Sequence, residues 1–128
     1  MDVIVDSSVW IDFLGGERIP AIANAMTSSA LVLSPLVIAE LLSGQLTPSQ
    51  KTIVGELLQD FFLHDTPLAH WIAVGDLRRM LAAHGINTSI PDAHVAQCAI
   101  DRDATLLTRD EIFTRIAKHT SLRLESAA

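Results

Sequence analysis

The stretch from Val3 to Ile11 constrains the fold of this chain more than any other. Val3-Ile4-Val5 is a β-branched run, Asp6 and two serines follow, and apolar residues at helical spacing then begin, so the order reads strand, carboxylate, helix. Asp6 therefore falls at the carboxyl end of a strand. An open α/β sheet binds its ligands beyond that end, so this carboxylate is either a helix cap or a metal ligand.

The remaining sequence repeats the alternation. Gly15-Gly16 ends the first helix, a second short helix runs from Ile19 to Met26 behind Pro20, and Ala30 to Leu33 reads as a buried parallel strand. Ser34-Pro35 opens a helix containing Leu36, Val37, Ala39, Leu41 and Leu42, with Glu40 among them and Gly44 at its end. Thr47-Pro48 opens another helix through about Phe62, and residues 64–67 form a connector that admits a short strand. Leu68 to His84 is the longest helical pattern, closed by Gly85. Ser89 to Asp92 leads into a helical run from Ala93 to Ile100, close to a capping box, with Asp92 in the first turn. Ala104 to Leu107 reads as a strand, Thr108 to Glu111 as a capping box that leaves Asp110 free of that duty, and Leu122 to Leu124 as a last short strand. Strands alternating with helices predict one α/β domain over residues 1–128, in three α/β/α layers around a mostly parallel sheet.

Several function classes are excluded early. No segment reaches the roughly 20 apolar residues of a membrane helix, and no basic region precedes an apolar run as in a secretory leader. The single Cys98 lies in an apolar helical run and reads as core; one thiol forms no internal disulfide, in keeping with a reducing cytoplasm. His64, His70, His84, His94 and His119 make no pair at zinc-ligand spacing, and His94, nearest a candidate acid, reads as a bystander. There is no Gly-rich phosphate loop. The strand-aspartate opening of haloacid-dehalogenase-like phosphatases needs a second aspartate two residues on, where this chain has Ser8.

Net charge is -6, which argues at first against a phosphate-rich partner. The acidity is uneven: residues 1–77 carry two basic side chains against nine acids, whereas residues 78–128 carry seven against six. Acids that converge at one point would be cancelled there by a divalent cation. The parallel sheet brings Asp6 and the Leu107-Thr108-Arg109-Asp110 unit to one edge, and Asp92 and Glu40 can point to it. Four carboxylates are hard oxygen ligands, which select Mg²⁺ or Mn²⁺.

The pattern resembles the PIN domain family and, within it, the VapC-type toxin ribonucleases of bacterial toxin-antitoxin pairs. The resemblance covers nearly the whole chain. It rests on Val5-Asp6-Ser7-Ser8-Val9, on Glu40 within Val-Ile-Ala-Glu-Leu-Leu-Ser-Gly, on Asp92-Ala-His-Val-Ala and on Leu-Leu-Thr-Arg-Asp110-Glu-Ile-Phe, in that order. It implies an acidic, catalytic metal site of Asp6, Glu40, Asp92 and Asp110, with Ser8 and Thr108 as hydroxyls that position a ligand or water. It further implies Mg²⁺-dependent cleavage of RNA by activated water, with Arg109 best placed to grip substrate and Arg78, Arg79 and Arg115 as further candidates. A homodimer is implied, as is a cognate antitoxin whose C-terminal segment lies in a groove near the acids, lined by Trp10, Phe13, Leu14, Leu41 and Leu42; the same residues also read as ordinary core, which is the preferred reading for Leu41 and Leu42. Some members carry another acid two residues after the last aspartate; here that position is Ile112. A metal-dependent phosphatase or DNA nuclease on a related sheet, and a catalytically silent binding module whose acids are caps and surface charges, are the competing readings.

Overall fold

Three-residue apolar runs suffice for strands here because the central strands of the sheet are buried on both faces. Val3–Val5 and Leu31–Leu33 contain only buried residues, as a parallel strand with helices on either side requires. In the computed structural model, which describes residues 1–127, the elements are β1 (Val3–Val5), α1 (Ser7–Leu14), α2 (Pro20–Thr27), β2 (Leu31–Leu33), α3 (Pro35–Ser43), α4 (Pro48–Asp60), β3 (Phe62–Leu63), α5 (Leu68–Ala83), α6 (Ile90–Asp101), β4 (Thr105–Thr108), α7 (Glu111–Ala117) and β5 (Arg123–Ser126).

The strand order is β3-β2-β1-β4-β5, and every pairing is parallel, so the expected mostly parallel sheet is wholly parallel among the described residues. The chain runs outward from β1 through β2 to β3, then returns to lay β4 on the other side of β1. Right-handed crossovers in the two directions put helices on opposite faces of the sheet, giving the three-layer α/β/α arrangement. The reversal of strand order also creates a crevice between the carboxyl ends of β1 and β4. Asp6 follows β1 at this point, and its backbone N–H donates to the carbonyl of Leu107 in β4 at 2.9 Å.

Local sequence explains most boundaries. Ser34 caps α3, its hydroxyl accepting from Val37 N at 3.2 Å with Pro35 in the first turn. Thr47 and Gln50 form a complete capping box on α4. Gly85, at φ +76°, reverses the chain just past α5 in the left-handed conformation that glycine adopts without strain. Trp10, Phe113, Ile4, Leu106 and Leu107 belong to one continuous apolar core.

Four boundaries depart from the sequence reading. Helix α4 stops at Asp60, because Phe62 and Leu63 are drawn into register with Val32 and Leu33; the strand precedes residues 64–67. Helix α6 begins at Ile90, three residues earlier than expected, since Ser89 is its cap and accepts from Asp92 N at 3.2 Å. The Thr108 to Glu111 capping box does not form. Thr108 is the last residue of β4, and Asp110 itself caps α7, accepting from Ile112 N at 3.0 Å. Finally, β5 covers Arg123–Ser126 because pairing with Thr105–Thr108 extends it beyond the apolar residues.

Candidate active site

Three of the four acids stand at helix N-termini. Asp6 caps α1, Asp110 caps α7 and Asp92 lies in the first turn of α6. Peptide N–H groups and the helix dipole stabilise negative charge there. Glu40 comes from the exposed side of α3, and α3 packs against both α1 and α6, which brings it toward Asp6 and Asp92.

Asp6 is the most ordered of the four. It is only 5% exposed, and its carboxylate accepts three hydrogen bonds: Ser7 N to Oδ1 at 2.9 Å, Ser8 Oγ to Oδ2 at 2.8 Å and Thr108 Oγ1 to Oδ2 at 3.0 Å. The Thr108 hydroxyl also accepts from Asp110 N at 3.0 Å. A single side chain thus links the loop after β4 to the loop after β1. Both hydroxyl residues singled out from the sequence touch Asp6 directly.

The acids sense one another. Burial pushes the Glu40 carboxyl above its ordinary value, with the charges of Asp6 and Asp92 adding to the shift. Asp92 is raised first by burial, then by Asp110 and Asp6, against a hydrogen bond with Ser89 that lowers it. Two loops, the first turn of α6 and one face of α3 therefore gather four mutually repelling carboxylates. They remain spaced more openly than a preformed cage. Among the described residues, the one group of three His, Cys, Asp or Glu side chains with donor atoms all within 4.8 Å of one another is His64, His70 and Cys98, which the sequence reading missed. Its members come from separate elements, and no local spacing announces it.

The basic residues are unequally free. Arg109 bonds to Asp12 Oδ2 at 2.6 Å, to both carboxylate oxygens of Glu17 and to the Ala127 carbonyl at 2.9 Å, so its fork is engaged within the protein. Arg78 donates through Nε to the Thr88 carbonyl at 2.7 Å. Together with Arg79, Asn87 and Thr88 it lines a surface pocket of about 420 Å³. Arg79 is 79% exposed and pairs with Asp76 at 2.8 Å, while Arg115 is exposed in the last turn of α7.

Beside Glu40, a pocket of about 560 Å³ is lined by Ile11, Leu14, Leu41 and Leu46 with Ser7 and Gln50. Leu14 and Leu41 line it as the resemblance implied and are also buried, as the core reading of Leu41 had it, whereas Leu42 departs from its core reading. Trp10 was implied there too, but at 2% exposure it is core, where it meets Phe13 edge-on at 5.7 Å. Leu42 is exposed. Ile11, 61% exposed, is the groove residue that the sequence pattern hid as an ordinary helix position.

A family model described as "PIN domain" matches residues 3–119. Among solved structures, the chain is similar to DNA-bound VapBC from Salmonella typhimurium, with a TM-score of 0.80 at 20% identity, covering 100% of this chain and 99% of that one. It is similar to VapBC2 of Rickettsia felis bound to a promoter DNA fragment, with a TM-score of 0.79 at 21% identity and 98% of each chain covered. A third, VapBC-5 from Mycobacterium tuberculosis, a member of the VapBC family of toxin-antitoxin systems, gives 0.68 at 21% identity, again over 98% of each chain. At these identities the likeness is one of fold. No curated protein matches the sequence.

Proposed function

From the premise that this chain belongs to the PIN domain family, we propose that it is a Mg²⁺- or Mn²⁺-dependent endoribonuclease, the toxin of a toxin-antitoxin pair. Residues 1–128 are taken as one such domain. The observation that supports the reading is the gathering of Asp6, Glu40, Asp92 and Asp110 at the crevice between β1 and β4, where burial first, and the repulsion of the neighbouring acids after it, raise the Glu40 and Asp92 carboxyls. A divalent cation relieves that repulsion, and an all-oxygen donor set fits Mg²⁺ or Mn²⁺.

Asp6, Glu40, Asp92 and Asp110 are the residues that would hold the ion. Bound there, it would acidify water for in-line attack on a phosphodiester and neutralise charge on the leaving oxygen. Asp6, fixed by Ser7, Ser8 and Thr108, would be the rigid member of the set. Glu40, on the exposed side of α3, would be the adaptable one. The proposal needs no protein nucleophile and no histidine base. Arg79 and Arg115, with Arg78 at the rim of its pocket, supply positive charge for the RNA backbone; Arg109 contributes only where Asp12 and Glu17 release it.

The antitoxin is assigned to the pocket beside Glu40. Its apolar wall of Ile11, Leu14, Leu41 and Leu46 suits an amphipathic segment, and an arginine or lysine from that segment would meet the carboxylates. A homodimer would cover apolar side chains now facing solvent, among them Phe62, Leu68 and Ile72. No helix among the described residues is long and apolar enough to cross a membrane; the cytoplasm is the proposed location.

Substrate class is tested by incubating the partner-free protein and Mg²⁺ with single-stranded RNA, the same sequence as DNA, and an aryl phosphate monoester. Cleavage of RNA alone is expected. Hydrolysis of the DNA or the monoester in preference to RNA would redirect the assignment to a DNA nuclease or phosphatase.

A further inference from the structure

Helices α5 and α6 pack along each other and enclose a polar cluster separate from the acids. His70 comes from α5, His94, Cys98 and Asp101 from α6, and His64 from the residue just past β3. His64, His70, His94 and Cys98 are all buried. A buried imidazole nitrogen normally has a partner, yet His64 Nδ1 has none. A donor atom of His64, one of His70 and Cys98 Sγ all lie within 4.8 Å of one another.

The surroundings of His70 are those of a ligand. Its Nδ1 lies 3.2 Å from Asp101 Oδ2, and a carboxylate only accepts, so Nδ1 carries the proton and Nε2 holds a lone pair. A carboxylate behind an imidazole in this way fixes the tautomer and ring orientation of metal-ligating histidines. Nε2 currently meets His94 Nδ1 at 2.7 Å, while His94 Nε2 meets Ser34 Oγ at 2.7 Å. A cation at His70 Nε2 replaces the first of these bonds, and the second still anchors His94.

We propose that His64, His70 and Cys98 form a binding site for a borderline-soft divalent cation of the Zn²⁺ class, distinct from the acidic site. Two imidazoles and a sulfur select such an ion over Mg²⁺. Zn–N and Zn–S distances of about 2.0 and 2.3 Å bring ligand atoms to roughly 3.5 Å apart, so the three close by about 1 Å on binding. Cys98 binds as thiolate and its proton leaves to solvent, the balance being thiol plus Zn²⁺ giving the zinc thiolate and H⁺. Burial pushes the free Cys98 thiol up to about 12 and lowers His64. Access runs through a pocket of about 340 Å³ lined by His64, Pro67, His70 and Asp101. A filled site ties the segment after β3 to α5 and α6. The proposal is independent of the function assigned to the acids.

Titration of the metal-free protein with Co²⁺ tests it, because thiolate ligation gives near-ultraviolet charge-transfer absorption that carboxylates do not. One equivalent of thiolate-bound, tetrahedral Co²⁺ is expected, displaced by Zn²⁺ and unchanged in Asp6→Asn, with Zn²⁺ affinity at least a hundredfold weaker in Cys98→Ala. Absence of the charge-transfer band in the unmutated chain, which needs no variant to fold, overturns the proposal. Equal Zn²⁺ affinity in Cys98→Ala also overturns it. Neither readout depends on RNA cleavage.

Discussion

The Thr108 hydroxyl donates to Asp6 Oδ2 at 3.0 Å across 102 residues of chain, while Thr108 Oγ1 itself accepts from Asp110 N. It is the direct link between the two loops that flank the crevice. Replacement by valine keeps the shape, removes the donor and leaves the Asp110 N–H without its acceptor. Thr108→Val is expected to lower stability by about 1 kcal/mol in denaturant melts. RNA cleavage is expected to fall roughly tenfold or more, as when a residue orienting a metal ligand is lost.

The raised carboxyls of Glu40 and Asp92 predict a site that opposes folding. A carboxyl whose folded value lies above its unfolded one binds more protons in the native state. Its stability contribution is therefore greatest at low pH and declines as pH rises through the raised value. At neutral pH without metal, Glu40→Gln and Asp92→Asn are expected to raise stability. The gain is a few tenths of a kcal/mol, roughly, because both side chains are partly solvent-screened. Thermal melts in EDTA read this, and added Mg²⁺ is expected to stabilise the unmutated chain more than either variant.

His94 works in the opposite direction. Burial holds its imidazole down at about 4, with His70 and His64 adding to the effect, against an ordinary value of 6.5. The native state keeps it neutral between those values while the unfolded chain takes up a proton. Stability is complete above 6.5 and is lost as pH falls toward about 4, by roughly 3 kcal/mol from this residue. Histidine resonances followed through an acid titration should show His94 still neutral well below the ordinary imidazole value of 6.5; protonation of His94 at that ordinary value would contradict the burial argument.

Arg79 and Arg109 should behave differently toward RNA. Arg79 is solvated and held by one exposed pair, so Arg79→Ala is expected to weaken RNA binding in an Asp6→Asn background and to reduce the salt slope by about 1. Arg109 is already chelated by Asp12 and Glu17. For Arg109→Ala the expected effect is on folding rather than on RNA binding, and a double-mutant cycle with Glu17→Gln should show a small coupling that salt screens.

The proposed acidic site is readable from the sequence because each of its candidate members is announced locally: Asp6 and Asp110 follow β-branched or leucine-rich strands, Asp92 follows Ser89-Ile90-Pro91, and Glu40 interrupts an apolar helix. Parallel topology then brings strand ends to one edge. What stayed hidden depends on tertiary pairing. The strand at Phe62 and the burial of Trp10 are settled by neighbours far away in sequence. The contact of His64 and His70 with Cys98 arises from α5 lying along α6, and five histidines without regular spacing carry no sign of it.

The account's central claim is that the four carboxylates are a metal-dependent centre for RNA cleavage. Its most direct test follows a defined RNA under single-turnover conditions with the partner-free chain in Mg²⁺, in EDTA, and in Mg²⁺ with Asp6→Asn or Asp92→Asn. Discrete fragments from the unmutated chain with Mg²⁺, and intact RNA in the other reactions, are predicted. Cleavage that persists at the same rate in EDTA or in both variants would contradict it.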